Sequence, residues 1–148
     1  TALDDGRIPS FCSAWLSTAA DGEQANVFTP PTNLGGAWTL FEDNAELARL
    51  ATSEVRIRRA NTYELTARGM IKDPLSNAGI TVAFRMPDSS FVIFSYVFAA
   101  PALALSALAV QKKILNADDL IQYVYRGNGN RGLITNKHNT YFSVLEQF

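Results

Sequence analysis

The chain has 148 residues, of which 47% are hydrophobic and 18% are charged, and its formal net charge is −1. This composition supplies a sizeable core for one domain and excludes an intrinsically disordered chain. The near-neutral charge gives no general attraction to nucleic acid or to an anionic membrane. The single cysteine, Cys12, allows neither an intrachain disulfide nor a thiolate-rich metal site, so we expect a small buried apolar residue there.

Short alternating segments follow one another through the first half of the chain. The pattern predicts strands over residues 11–16, 37–41, 54–58 and 62–71, and a shorter one at 27–28 that stops at Pro30-Pro31. Asn44 is expected to cap a single helical turn that ends at Leu50. Asn61 is expected to take a positive-φ position in the turn before the strand over 62–71.

The second half of the chain predicts strands over 79–86, 91–98, 102–110 and 120–125, and a closing strand within 139–148. The stretch from Phe91 to Val110 contains no charged residue and is close to the ~20 residues that span a bilayer. Its first part is β-branched and aromatic, and Pro101 interrupts it, which favours two buried strands. We therefore predict no membrane insertion.

About eight to ten strands, with turn signals roughly every 8–12 residues, are typical of an all-β antiparallel sandwich. The predicted organisation is one domain over residues 1–148. The closing segment has apolar residues on both faces of a period-two ribbon, which predicts a strand covered on both sides and tied into the sheet. A chain that starts at Thr1 without a methionine or a signal pattern is expected to be the C-terminal head of a longer chain.

Three pieces of the sequence are similar, in order and spacing, to a known superfamily. They are Phe-Cys-Ser-Ala-Trp-Leu at 11–16, Asn-Thr-Tyr-Glu-Leu at 61–65, and Leu-Asn-Ala-Asp-Asp-Leu-Ile at 115–121 together with Tyr-Phe-Ser-Val at 141–144. They resemble the tumour-necrosis-factor-like jelly roll shared with the complement-q globular head. Asn61 and Asp118 stand where that superfamily prefers glycine, and both residue types tolerate left-handed backbone.

The resemblance implies a jelly-roll topology and a compact homotrimer with one face buried around a three-fold axis. The sequence offers more apolar and aromatic area than a single thin sandwich obviously needs, and obligate interfaces are built from such surface. The alternative is that all of this area is monomer core. We predict that the trimer interface includes Tyr96, Tyr123, Tyr125 and Tyr141.

Loops at the ends of a rigid sandwich are the expected place for binding. The best candidate runs from Arg126 to Gly132 and on to His138, because it combines glycines with amide and cationic donors suited to sugar hydroxyls or acidic groups. A plain hairpin connection is the alternative. The predicted ligand-binding residues are Arg126, Asn128, Asn130, Arg131, Lys137 and His138.

Four arginines in the middle of the chain alternate with apolar residues, which places them on exposed strand faces: Arg56, Arg58, Arg68 and Arg85. A solvated face is the favoured interpretation. A stripe that binds a polyanion is disfavoured because no exposed aromatic residues are interleaved with the arginines.

Nothing in the sequence predicts catalysis, a cofactor or a metal. His138 is the only histidine, and it stands in a polar loop without an evident nucleophile or orienting partner. Asp118 and Asp119 fall short of the six to eight oxygens that calcium takes, so a role in a turn is favoured. No phosphate-binding glycine loop or dinucleotide fingerprint is present.

These observations lead to a functional hypothesis. The chain is expected to be a non-enzymatic homotrimeric recognition head of the spike, fibre or adhesin type, located extracellularly or on a virion surface. It would bind a host-cell receptor or glycan through its loops, and not nucleic acid. The first alternative is a secreted complement-q-like or cytokine-like ligand for a protein receptor. The second is a structural virion or capsid protein, disfavoured because no basic arm precedes the fold.

Overall fold

The computed structural model describes residues 8–20, 27–72, 78–99, 104–127 and 133–147. Two short 3₁₀ turns, Pro31–Leu34 and Leu50–Thr52, lie within these residues. The described part of the chain also contains ten strands: β1 (Phe11–Thr18), β2 (Ala37–Asp43), β3 (Ala48–Arg49), β4 (Glu54–Arg56), β5 (Asn61–Lys72), β6 (Ala78–Arg85), β7 (Phe91–Ala99), β8 (Ala104–Leu115), β9 (Leu120–Gly127) and β10 (Tyr141–Glu146).

The strands form two five-stranded sheets. Sheet A has the order β2-β1-β10-β5-β8, and sheet B has the order β3-β4-β9-β6-β7. Neighbouring strands are antiparallel throughout both sheets. The chain crosses repeatedly from one sheet to the other, so the first and last strands become neighbours in sheet A. This arrangement confirms the predicted all-β antiparallel sandwich with jelly-roll topology.

The closing strand β10 lies in the middle of sheet A, between β1 and β5. Its burial alternates strictly along its length. The fully buried side chains are Phe142, Val144 and Glu146, and the half-buried ones are Tyr141, Ser143 and Leu145. The prediction that this strand is central is therefore correct. Within one chain, however, only its inner face is fully covered.

Aromatic side chains fill the centre of the sandwich. The ring of Trp38 lies 5.1 Å from that of Tyr123 and 4.9 Å from that of Phe142, edge to face in both cases. The indole Nε1 of Trp38 donates a hydrogen bond to Ser53 Oγ, and the hydroxyl of Tyr123 donates one to the carbonyl oxygen of Arg68, each at 2.8 Å. Because their polar tips have partners, these amphipathic rings are stable in a dry core.

The placement of Tyr123 and Tyr125 corrects the predicted trimer interface. Both residues lie on β9 with 0% of their surface exposed. A residue without accessible surface in the single chain has none to offer to another chain. The prediction was wrong for these two tyrosines because their hydropathy cannot distinguish the space between two sheets from the space between two molecules.

Three local predictions also need correction. Residues 44–50 form no helical turn: Ala48–Arg49 is the short strand β3, and the side chain of Asn44 bonds to the backbone of Phe11 and Pro9. Residues 27–28 form no strand, and a single bridge joins Thr29 to Tyr125. Asn61 does not take a positive φ, whereas Asp118 does, with φ of +68°.

The uncharged stretch from Phe91 to Val110 is divided between two strands, as predicted. β7 ends at Ala99 and β8 begins at Ala104. In the described residues, no helix is long and apolar enough to cross a membrane. β8 is less buried than expected, because it forms an edge of sheet A and leaves Leu108 and Val110 exposed.

Candidate assembly face and basic pocket

The outer face of sheet A is built from side chains that alternate with core residues on four neighbouring strands. Because directly paired residues point to the same side of a sheet, the strand registers place these side chains in rows. Across β1, β10, β5 and β8 the rows are Trp15, Tyr141, Arg68 and Leu108; then Ser13, Ser143, Thr66 and Val110; then Phe11, Leu145, Glu64 and Lys112.

This face is more apolar than a solvated sheet face. Antiparallel sheets usually alternate apolar residues toward the core with polar residues toward water. Here Val110 is 56% exposed, and Ile114, four residues further along β8 on the same face, is 77% exposed. Other large apolar side chains of the face are partly or largely exposed: Phe11, Trp15, Leu108, Tyr141 and Leu145. Exposed apolar side chains gathered on one face are a feature of protein interaction sites.

One end of the outer face contains a concavity of about 460 Å³, which we call the basic pocket. Paired serines, Ser13 and Ser143, form its floor because their small side chains lie between rows of large ones. Its remaining lining residues are Phe11, Phe41, Arg68, Lys137, His138 and Tyr141. Among the described residues, the lining therefore includes two cationic side chains and the only histidine of the sequence, and it includes no carboxylate.

Arg68 is the most constrained of the basic side chains. It lies on β5, paired with Tyr141 on one side and Leu108 on the other. Its guanidinium Nε is buried, and among the described residues it has no hydrogen-bond partner. A buried donor without a partner costs about 1–3 kcal/mol, and more when the group is charged. The outer face thus contains a cationic group whose hydrogen-bonding capacity is not fully used.

Apart from Tyr123 and Tyr125, which lie in the core, the predicted site residues divide into three sets. Lys137, His138 and Tyr141 come together in the basic pocket. Arg126 is elsewhere, with its guanidinium 4.6 Å from the centre of the Phe28 ring. The remaining predicted residues give no side-chain geometry: Asn128, Asn130 and Arg131 lie outside the described residues, and Tyr96 is described only through its backbone on β7.

Arg126 and Arg85 belong to an arginine–phenylalanine stack. The rings of Phe28 and Phe91 are stacked with centres 4.4 Å apart, and the guanidinium of Arg85 lies 5.5 Å from the centre of the Phe91 ring. Of the four arginines in the middle of the chain, Arg85 therefore has an aromatic neighbour that is distant from it in the predicted pattern of alternation. The rings and guanidinium groups already cover one another, so the stack is built as a structural unit.

Arg56 and Arg58 lie on the other side of the sandwich. Arg56 is paired with Asp118 at 2.6 Å, but their side chains are 53% and 73% exposed, so this ion pair adds little stability. A broad groove of about 720 Å³ passes Arg56, Asp118 and Leu120. None of its described lining side chains has a buried, unpartnered polar atom.

A second charged cluster, at the end of β10, is fully satisfied. Glu146 is 1% exposed and accepts hydrogen bonds from Arg59, from the side chain of Asn61 and from the backbone N–H of Ser10. Burial alone raises the pKa of Glu146, but the hydrogen bonds outweigh burial, and the charge of Arg59 adds to them, so the pKa falls to about 2. This cluster fastens the terminal strand to β5 and to the segment before β1.

Cys12 is buried in the core, as predicted. Burial raises the pKa of its thiol, so the thiol is protonated and unsuited to nucleophilic chemistry.

No protein-family profile matches the chain, and no curated protein matches it. Solved structures, in contrast, do match the chain. The crystal structure of murine APRIL at pH 8.5 is similar with a TM-score of 0.67 and 13% sequence identity, over 95% of this chain and 100% of that one. The structure of Eiger TNF from S. frugiperda is similar with a TM-score of 0.58 and 10% identity, over 95% of this chain and 92% of that one. The chain therefore has the tumour-necrosis-factor-like jelly-roll fold that its sequence motifs resemble.

Proposed function

We propose that the chain is a non-enzymatic homotrimeric recognition domain whose copies associate through the outer face of sheet A. The observation that carries this proposal is the apolar character of that face, which includes Val110 and Ile114 at more than half exposure. Leaving such side chains in water costs about 25 cal/mol per Å² of apolar surface. A second copy that covers them removes this cost, as in obligate interfaces.

The trimeric state rests on the resemblance to tumour-necrosis-factor-like proteins and on the fold. The predicted interface is revised accordingly. Tyr141 stays in it, and Tyr123 and Tyr125 are removed because they lie in the core. Tyr96 is removed because it lies on β7 of sheet B, and residues of the outer face of sheet A are added. The revised set is Phe11, Trp15, Leu108, Val110, Ile114, Tyr141 and Leu145.

The partner that we propose is a protein receptor outside the cell, as for a secreted ligand. The fold that the chain shares with APRIL and Eiger TNF supports this role over that of a spike, fibre or adhesin head. The glycan alternative also loses one of its predicted donors, because Arg126 is stacked on Phe28.

Light scattering coupled to gel filtration tests the trimer. Wild-type protein is expected at three times the chain mass of 16.2 kDa. Val110→Asp places a charge on the outer face and is expected to give a monomer. Val27→Asp is a matched control, since Val27 is also 56% exposed but lies outside sheet A, and it is expected to remain trimeric. A wild-type mass equal to that of one chain would refute the proposal.

Cell binding tests the class of receptor. Labelled wild-type trimer is incubated with a panel of cultured cells, which are first treated with a broad protease or with glycosidases. A protein receptor predicts that binding is lost after protease and retained after glycosidase. The reverse pattern would support the glycan-binding head instead.

A further inference from the structure

The basic pocket poses an electrostatic problem for any assembly that covers the outer face of sheet A. Its cationic side chains, Arg68 and Lys137, lie in a lining to which the described part of the chain contributes no carboxylate. The carboxylates nearest in register, Glu42 opposite Ser13 and Glu64 opposite Lys112, do not line it. In the single chain, water reaches the pocket and solvates these charges.

Covering the pocket removes that water. An ionic group that loses its solvation without gaining a partner costs several kcal/mol, which would oppose the gain from the surrounding apolar rows. Arg68 already has a buried Nε with no hydrogen-bond partner in the described part of the chain. A stable interface at this position therefore needs an anion that brings oxygen acceptors to the guanidinium.

From this we infer that each basic pocket receives an acidic side chain from a neighbouring copy, which forms a charge-assisted hydrogen bond with Arg68. The inference rests on the proposed trimer. The chemistry fits a carboxylate, since guanidinium groups present N–H donors in a fork that matches its two oxygens. The chain can provide one, because it has 14 acidic residues against 13 lysines and arginines, and Glu42 and Asp88 are among those exposed.

Two features of the pocket fit this occupant. The serine floor leaves depth for a side chain between the rows that contain Tyr141 and Phe11. Lys137 and His138 lie on the exposed loop before β10, where they add N–H donors at the rim without constraint from the strand. The apolar rows would supply most of the association free energy, and the carboxylate would fix the register of one copy on the next.

The test compares three variants by sedimentation over a dilution series in about 0.15 M NaCl. Arg68→Met keeps the length and apolar stem of the side chain and removes its charge. Lys137→Met removes a rim charge from an exposed loop, where folding is not at risk. Arg58→Met is the matched control, because Arg58 is exposed and lies outside the pocket. Circular dichroism checks that each variant is folded.

The expected result is that Arg68→Met weakens trimer association at least about tenfold, Lys137→Met weakens it less, and Arg58→Met leaves it unchanged. Unchanged or stronger association of Arg68→Met would overturn the inference, because the charge would then have no partner. If Arg68→Met is unfolded, Lys137→Met takes its place in the test. Unchanged or stronger trimer association of Lys137→Met would then overturn the inference. A monomeric wild type would refute the proposed trimer itself, which is a different failure.

The source of the anion is tested separately. Chloride is replaced by sulfate at constant ionic strength, and the dilution series is repeated for wild-type protein and for Arg68→Met. Sulfate strengthens apolar association in general, so a carboxylate from the neighbouring copy predicts that it changes the association of both proteins by the same factor. A larger gain in sulfate for wild type than for Arg68→Met would show that the pocket traps an anion from solution, and it would overturn the assignment to a neighbouring copy.

Discussion

At the scale of single residues, replacing the carboxylate of Glu146 by an amide should lower the free energy of unfolding. Its side chain is fully buried, and Arg59 binds it through Nε and a terminal nitrogen at 2.7–3.0 Å. Glu146→Gln removes the buried negative charge to which the partly buried guanidinium of Arg59 binds. We expect a loss of about 3 kcal/mol in the free energy of unfolding at pH 7, measured by urea denaturation.

The same pair predicts a pH dependence with a definite sign. The pKa of Glu146 is lowered from 4.5 to about 2 in the folded chain, so its stabilising contribution is complete above pH 4.5 and disappears as the pH falls toward 2. The stability difference between wild type and Glu146→Gln should therefore be constant above about pH 5 and shrink below it. A difference that grows on acidification would contradict this assignment.

The sequence could not have indicated this cluster. Glu146 and Arg59 are 87 positions apart, and a glutamate on the inner face of a strand breaks the alternation used to predict the core. Arg68 escaped prediction for a similar reason. The alternation of polar and apolar residues along β5 correctly placed Arg68 on an outer face. Its position beside Tyr141 depends on the register of β5 against β10, and a local sequence pattern does not specify that register.

At the scale of elements, the two faces of β10 are expected to serve different purposes: the inner face stabilises the fold, and the outer face takes part in association. Phe142 is fully buried in the core, whereas Leu145 is half-buried on the outer face. In a monomeric Val110→Asp background, Phe142→Ala should cost about 3–5 kcal/mol of unfolding free energy, and Leu145→Ala should cost less than about 1. In the wild-type background, Leu145→Ala should weaken trimer association. Equal destabilisation by both changes in the monomer would contradict the division.

The sequence predicted the strands better than it predicted their surroundings. Period-two alternation locates β5 and β6 because each has a face against the core. Where both faces of a strand are apolar, alternation does not show which face is buried. Tyr125 lies in the core and Leu108 is exposed, although both belong to apolar strands. Which apolar face meets the second sheet depends on long-range strand order, and not on the local pattern.

At the scale of the whole molecule, folding and association should be linked. If copies cover the outer face of sheet A, the folded state is stabilised by mass action, and the midpoint of thermal unfolding must rise with protein concentration. A hundredfold increase adds about 1.8 kcal/mol per chain for a trimer that dissociates on unfolding, equivalent to about 4–7 °C in a chain of this size.

The Val110→Asp variant gives this experiment its reference. Its side chain lies on β8, outside the core, so its monomer should fold with the same jelly roll but melt at a midpoint that does not change with concentration. Calorimetry of both proteins over the same range separates the two contributions, because only the wild type includes the association term. A concentration-dependent midpoint in wild type and its loss in Val110→Asp would place the apolar rows of sheet A between copies. A constant midpoint in both would mean that a monomer tolerates Ile114 and its neighbours in water.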